Sequence, residues 1–253
     1  MIGLPGRSDE MALVEFDRIV HKFGDELALN ELSFTLPENK VVGLIGANGA
    51  GKTTAIRHMI RYLKPDSGDI TYRGEDIYGI SNERYPITYI PDSSIFYEEL
   101  TVMEHLQFVA VMYGTKEKIS SLVSRMELKK HLSKYPMALS KGTRQKLSIA
   151  CALLRTHELL IADEPFSGLD PGQIKVLKDI MLEEKSAGRT VLLSTHLLEV
   201  IENICDYYIF IDEGKLVTQG TFEDLTQGTP WDTLEKLYIH LARNNEEVPE
   251  DEQ

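Results

Sequence analysis

Residues 46–54 read Gly46-Ala47-Asn48-Gly49-Ala50-Gly51-Lys52-Thr53-Thr54, a spacing that suits the capture of phosphate. The stretch fits the pattern G-x-x-x-x-G-K-[ST]. Its glycines let backbone N–H groups turn together toward one anion. Lys52 has the reach to meet β- and γ-phosphates, and the Thr53 hydroxyl is a hard oxygen ligand for Mg²⁺. A second group of chemically capable residues lies far downstream, where Leu159-Leu160-Ile161-Ala162 runs into Asp163 and Glu164. An apolar strand ending in two carboxylates suits metal-assisted phosphoryl transfer. Asp163 holds Mg²⁺ through water, and Glu164 orients or deprotonates the attacking water. Ser194-Thr195-His196 closes another apolar run, placing His196 where it can meet a γ-phosphate or its water.

These groups need a scaffold that brings strand ends together. Val41–Ile45 is an apolar run of buried-strand type just before the glycine loop. After it, Ile56, Met59, Ile60 and Leu63 fall at i, i+3, i+4 and i+7, one face of a helix. Strand, loop and helix aim amide donors and a helix N-terminus at a single point. Short β-type runs at Ala12–Phe16, Leu32–Leu36 and Asp69–Tyr72 occupy the early chain. From about 93 to 145 the pattern turns helical. Thr101 with Glu104 forms a capping box, Leu106, Val109, Ala110 and Tyr113 continue that helix to Gly114, and 116–132 reads as a second, charged helix. Strands then return at Leu159–Ala162, Thr190–Ser194 and Tyr208–Ile211, with helices near Gln173–Ser186, Leu197–Ile204 and Trp231–Ala242. Asp212-Glu213-Gly214-Lys215 reads as a hairpin turn. Strand–helix alternation around such a loop predicts an α/β fold, a mainly parallel sheet with helices on both faces.

The 253 residues are 42% apolar and 26% charged, enough to bury one sizeable core. A net charge of −13 argues against nucleic acid as a partner. Part of that charge is terminal, at Glu246, Glu247, Glu250, Asp251 and Glu252, and reads as a solvated, disordered tail. Cys151 and Cys205 form no disulfide framework or metal pattern and read as reduced core residues. Met1–Glu10 lacks the apolar core of a signal peptide. No apolar run approaches the ~20 residues a membrane span needs, so a membrane connection is expected to pass through a partner.

One more segment fits this chemistry. Leu139-Ser140-Lys141-Gly142-Thr143-Arg144-Gln145 precedes an apolar helix, with Ser140 a natural N-cap and Gly142 open to close approach by phosphate. On its own this is a capped helix start. Taken in order, however, the motifs resemble the nucleotide-binding subunit of ABC transporters across about residues 10–222. Gly46–Thr54 corresponds to the Walker A motif, Leu159–Glu164 to Walker B, Leu139–Gln145 to the signature, Ser167–Asp170 to the D-loop and His196 to the H-loop.

The resemblance implies a RecA-like P-loop NTPase with an N-terminal antiparallel β subdomain, an inserted helical subdomain at about 93–145, and an appended segment at 223–253. It implies ATP and Mg²⁺ as cofactors. Glu164 and His196 are then catalytic, and Thr53, Asp163 and Asp92 are candidates at the metal. Phe23, Gly46, Asn48, Gly49, Ala50, Gly51, Lys52, Thr53, Thr54, Asp92, Ser140, Gly142 and Asp170 are candidates at the nucleotide. Phe23 sits where the family carries an aromatic that stacks on adenine. The partners implied are a second cassette, closing head to tail around two ATP molecules, and a membrane-spanning permease. The location implied is the cytoplasmic face of the membrane, held there through the permease.

Two departures stand out. The signature reads Leu-Ser-Lys-Gly-Thr rather than Leu-Ser-Gly-Gly-Gln, and Asp92 occupies the Q-loop where the family usually has Gln. Asp92 either accepts a metal-water hydrogen bond or serves mainly as a hinge. The stretch from Thr88 to Gly114 is similar to the ATPases of Ecs- and Ppt-type exporters of Gram-positive bacteria, which work with a multi-spanning subunit and are linked to peptide export. The alternatives are a soluble ABC-type ATPase that remodels a non-membrane partner and a non-catalytic regulatory subunit. A GTP switch fails, because Asn39-Lys40 lies upstream of the loop and continues into Val-Val instead of providing a guanine-reading motif.

Overall fold

The computed structural model describes residues 12–246, so Met1–Glu10 and the acidic residues from Glu247 onward lie outside the described residues. The chain forms two compact units, one from residues 12–81 with 197–246 and the other from Asn82–His196.

The first unit opens with strands β1 (Ala12–Phe23) and β2 (Glu26–Pro37), an antiparallel hairpin turned by Gly24 at φ 62°. Both strands run well past the short segments expected from sequence. They persist through a bulge where Arg18 adopts φ 48° and donates its N–H to Ser33 Oγ. Phe16 and Phe34 stack across the pair with centroids 4.3 Å apart. Strands β4 (Ser67–Tyr72) and β5 (Glu75–Asp76) complete an antiparallel sheet in the order β2-β1-β4-β5.

Beside it, β3 (Val41–Ile45) pairs in parallel with β9 (Tyr207–Asp212), and β9 pairs antiparallel with β10 (Lys215–Gly220). Every residue of β3 is buried, as expected of an apolar strand covered on both faces. Helix α1 (Lys52–Met59) follows β3 directly. The unit ends in α6 (Leu198–Ile201), α7 (Phe222–Thr226) and α8 (Leu234–Glu246). Only Leu198–Ile201 of the longer helix expected over 197–204 forms. Ile201, at the end of that helix, and Ile204, in the turn that replaces its second half, are both buried.

The second unit carries three parallel strands, β6 (Ile87–Ile90), β7 (Leu159–Asp163) and β8 (Thr190–Ser194), with β7 in the middle. Helices α2 (Val102–Tyr113), α3 (Ile119–Arg125) and α4 (Lys141–Leu154) lie between β6 and β7 in the chain, and α5 (Pro171–Ser186) joins β7 to β8. The capping box of α2 forms as read: Glu104 N–H donates to Thr101 Oγ1, and Thr101 N–H donates to Glu104 Oε2 at 2.7 Å. Gly114 at φ 67° ends that helix. Its buried stripe is Val102, Leu106 and Ala110, packed against α4, while Tyr113 is exposed.

The charged helix expected over 116–132 is broken in two. Glu127 takes φ 53°, and Leu128 N–H turns back to the Val123 carbonyl at 2.9 Å. That reversal buries both Met126 and Leu128, which a continuous helix would point in different directions.

Away from the ends of β7 and β8 that carry the carboxylates, Glu184 of α5 ties two connections, the one before β7 and the one before β8. Its carboxylate lies 2.8 Å from His157 Nε2 and accepts from Arg189 Nε, while His157 Nδ1 lies 2.8 Å from the Arg155 carbonyl. Burial pushes the Glu184 carboxyl upward, but the hydrogen bonds and charges of His157 and Arg189 outweigh it and hold the group down at about 2. A depressed folded-state value stabilises the protein above the unfolded carboxyl's range, and that stability is lost as pH falls toward 2. Glu184→Gln is expected to cost about 2 kcal/mol at pH 7, with the deficit narrowing between pH 5 and pH 2 in urea unfolding. A deficit that stays constant across that range would assign the effect to packing.

Candidate nucleotide site

The glycine loop is in the first unit. Gly46 has no room for a side chain, because a Cβ would lie 2.3 Å from the Ile211 carbonyl oxygen. Gly49 and Gly51 adopt φ 86° and 102°, conformations that favour glycine. Gly51 is the N-cap of α1 and brings no side-chain cap, leaving that helix start to the loop backbone. Lys52 is buried and folds back over the loop, donating to the Gly46 and Ala47 carbonyls at 2.7 and 2.9 Å. Its ammonium therefore sits against the backbone at the start of the loop, at Gly46 and Ala47. Thr53 and Thr54 occupy the first turn of α1.

A residue that sequence reasoning took only as part of a hairpin turn holds this loop in place. Gly214 at φ 72° donates its N–H to the Ala50 carbonyl at 3.0 Å and accepts from Asn30 N–H at 2.9 Å. A Cβ there would strike the Ala28 carbonyl oxygen at 2.6 Å. The Gly in Asp-Glu-Gly-Lys was visible, but its contact with Ala50 was not.

Phe23, at the end of β1, is 45% exposed. It meets His21 edge to face at 4.6 Å, and His21 meets His58 of α1 in the same way at 4.7 Å. Burial, reinforced by His21, pushes the His58 imidazole down to about 4, so His58 is uncharged at neutral pH.

The carboxylate pair is in the second unit. Asp163 is buried at the end of β7 and accepts a hydrogen bond from Ser194 Oγ. Glu164 follows at φ 47°, a left-handed conformation rare for a side-chain-bearing residue. Its carboxylate lies 3.1 Å from His196 Nδ1, so the structure brings together the two residues expected to be catalytic. Asp92 follows β6 on an exposed loop.

The signature segment and the D-loop meet within this same unit. Ser140 caps α4, accepting from Thr143 N–H at 3.2 Å. Gly142 passes so close to Gly168 that a Cβ would lie 2.6 Å from the Gly168 carbonyl oxygen. Its glycine is thus required by its own chain, beyond any need to approach a phosphate. Lys141, one of the departures from the family pattern, donates from Nζ to Ser167 Oγ at 2.8 Å. Gln145 donates to the Pro165 carbonyl at 3.3 Å. Asp170 caps α5, accepting from Gln173 N–H at 2.9 Å.

Comparisons with known proteins agree with this arrangement of motifs. The ABC transporter family model matches residues 29–167. The chain is 39% identical over 246 residues to the ABC-type transporter ATP-binding protein EcsA of Bacillus subtilis (strain 168), covering 93% of this chain and 98% of that one. It is 32% identical over 220 residues to the Nod factor export ATP-binding protein I of Sinorhizobium fredii (strain NBRC 101917 / NGR234), covering 85% of this chain and 64% of that one. Among solved structures, an ATP binding subunit of an ABC transporter superposes with a TM-score of 0.84 at 36% identity, covering 91% of this chain and 99% of that one. The glycine loop, the carboxylate pair with its histidine and the capped signature helix lie on a chain that belongs to the ABC transporter family as an ATP-binding, ATP-hydrolysing subunit.

Proposed function

We propose that this subunit is the motor of an exporter and that it drives a separate membrane permease through ATP-dependent closure of two cassettes. The observation that carries the hydrolytic part is the Glu164–His196 contact beside buried Asp163. ATP rests its phosphates on residues 46–54, and its adenine stacks on Phe23. Glu164 takes the proton of the attacking water, and His196 holds that carboxylate in position. Asp163 and the Thr53 hydroxyl offer hard oxygen donors that fit Mg²⁺. The described residues contain no cluster of three or more His, Cys, Asp or Glu able to cage an ion. That suits a metal drawing most of its ligands from phosphate and water. When bound, the ion would neutralise charge on the phosphates. Exposed Asp92 serves as a hinge or a water-mediated contact. The nucleotide region is taken as residues 10–222, with 93–145 as a helical insert and 223–253 as an appendage.

Glu164→Gln is expected to bind ATP as the native chain does while turnover falls about a hundredfold or more. Phe23→Ala should weaken ATP binding by about 1–3 kcal/mol, with Phe23→Tyr close to native. Native turnover in the first variant, or equal losses in the two Phe23 variants, would remove the corresponding role.

A capped α4 start at Ser140 supports phosphate contact from a second cassette, through amide groups and the helix dipole. ATP is expected to dimerise Glu164→Gln in sedimentation, and adding Ser140→Arg should abolish the dimer with little change in monomer affinity. A double variant that dimerises equally well would reduce residues 139–145 to a helix cap.

An exposed apolar surface in the second unit supports a membrane partner. Phe108, Val111 and Met112 share one face of α2, and the Tyr97 ring packs edge to face on Phe108 at 5.7 Å. No helix among the described residues is long and apolar enough to cross a membrane, so attachment at the cytoplasmic face would run through that partner. Outward transport, with peptide as the cargo class, rests on likeness to Ecs-type and export subunits. The other reading is a remodelling ATPase with no membrane partner. Phe108→Glu with Met112→Glu should abolish co-purification of a multi-spanning protein from detergent-solubilised membranes while leaving ATP binding intact. Purification of the native chain with no such protein would favour the remodelling reading.

A further inference from the structure

We propose that Ser194 is a positioning residue that sets Asp163 and Glu164 together, coupling metal ligation to the placement of the base. The proposal rests on the hydrolytic reading of those two carboxylates. Ser194 ends β8 in register with Asp163 and is 0% exposed. Its hydroxyl donates to Asp163 Oδ1, and the same oxygen accepts Glu164 N–H at 3.3 Å. The Ser194 carbonyl accepts that N–H as well, at 3.0 Å.

The direction of these bonds follows from chemistry. A hydroxyl has one proton to give and lone pairs to receive, whereas an ionised carboxylate can only accept. The proton therefore goes to Asp163, and the lone pairs face the Glu164 amide. A buried hydroxyl on a strand needs only a backbone carbonyl to be satisfied. Thr88 of β6 does this, donating to the Ala152 carbonyl at 2.8 Å. Ser194 instead commits its proton to a charged side chain at the strand ends, a stronger bond than a neutral one. That bond fixes the orientation of the Asp163 carboxylate and the oxygen it turns away from Ser194. Through its two acceptors, Ser194 also holds the amide of a residue at φ 47°, the bend that directs the Glu164 side chain to His196.

Three substitutions separate the hydroxyl from its volume. Ser194→Ala removes the oxygen, Ser194→Cys fills the space with a weak donor, and Ser194→Thr keeps the hydroxyl. Two measurements are made on the full chain: turnover, giving kcat and the Mg²⁺ concentration for half-maximal rate, and ATP affinity with and without Mg²⁺ in a Glu164→Gln background. Ala and Cys are expected to lower kcat on the order of ten- to a hundredfold and to shrink the gain in ATP affinity that Mg²⁺ provides. Metal-free ATP affinity should stay within about twofold, below the size of one hydrogen bond. Thr should restore most of both losses.

The proposal is overturned if Ala and Cys match the native chain in Mg²⁺ dependence. It is equally overturned if Thr falls as far as they do, which would make the position one of shape alone. Should Ala fail to fold, the Cys and Thr comparison decides. Native turnover in Glu164→Gln alone would remove the base role of Glu164, and the Mg²⁺-binding comparison would still decide on Ser194.

Discussion

Backbone crowding around the glycine loop is the constraint on which the first unit depends. Gly46 lies against the Ile211 carbonyl, and both Gly51 and Gly214 lie against the Ala28 carbonyl. Main chain from β2, from β9 and from the β9–β10 turn thus closes on one loop, joined there by the side chain of Leu29 against Gly51. A loop held largely by backbone keeps its amide groups aimed, and this is the preorganisation that an anion site requires. The order of elements in that unit follows from it. β2 must pass over the loop, and the turn after β9 must return to touch Ala50.

In the second unit the governing problem is negative charge. Asp163 is a buried carboxylate and Glu164 a strained neighbour, and an unsatisfied charge in that position would be costly. Apolar β7 and β8 deliver both residues to one end of a parallel pair, and groups from the end of β8 receive them there. Ser194 and His196 flank Thr195, itself fully buried. The two outer residues of that short run contact the carboxylates, while the middle one is buried.

Much of this was legible in the sequence wherever the requirement is local. The glycine loop, the capping box at Thr101, the Ser140 cap and the buried runs of β3, β7 and β8 each follow from a short window. The parallel arrangement follows from their alternation with helices. What escaped depends on contacts between distant residues. Gly214 braces Ala50, Lys141 reaches Ser167, and Ser194 is one polar letter at the end of an apolar strand whose partner lies in β7. The break at Glu127 was hidden for a related reason: its gain is the burial of Met126 and Leu128, which helical periodicity among charged neighbours does not reveal.

The close passage of Gly142 over Gly168 has a mechanical consequence. With the Gly168 carbonyl occupying the space a side chain would need, and Lys141 and Gln145 bonded to Ser167 and to the Pro165 carbonyl, there is no slip plane between the first turn of α4 and the 165–168 loop. Ser167 N–H in turn donates to the Glu164 carbonyl at 3.1 Å. The first turn of α4 is therefore tied, through the 165–168 loop, to the backbone of Glu164, and a displacement of one draws on the other. In this chain the lysine at the third signature position adds a side-chain bond to that linkage.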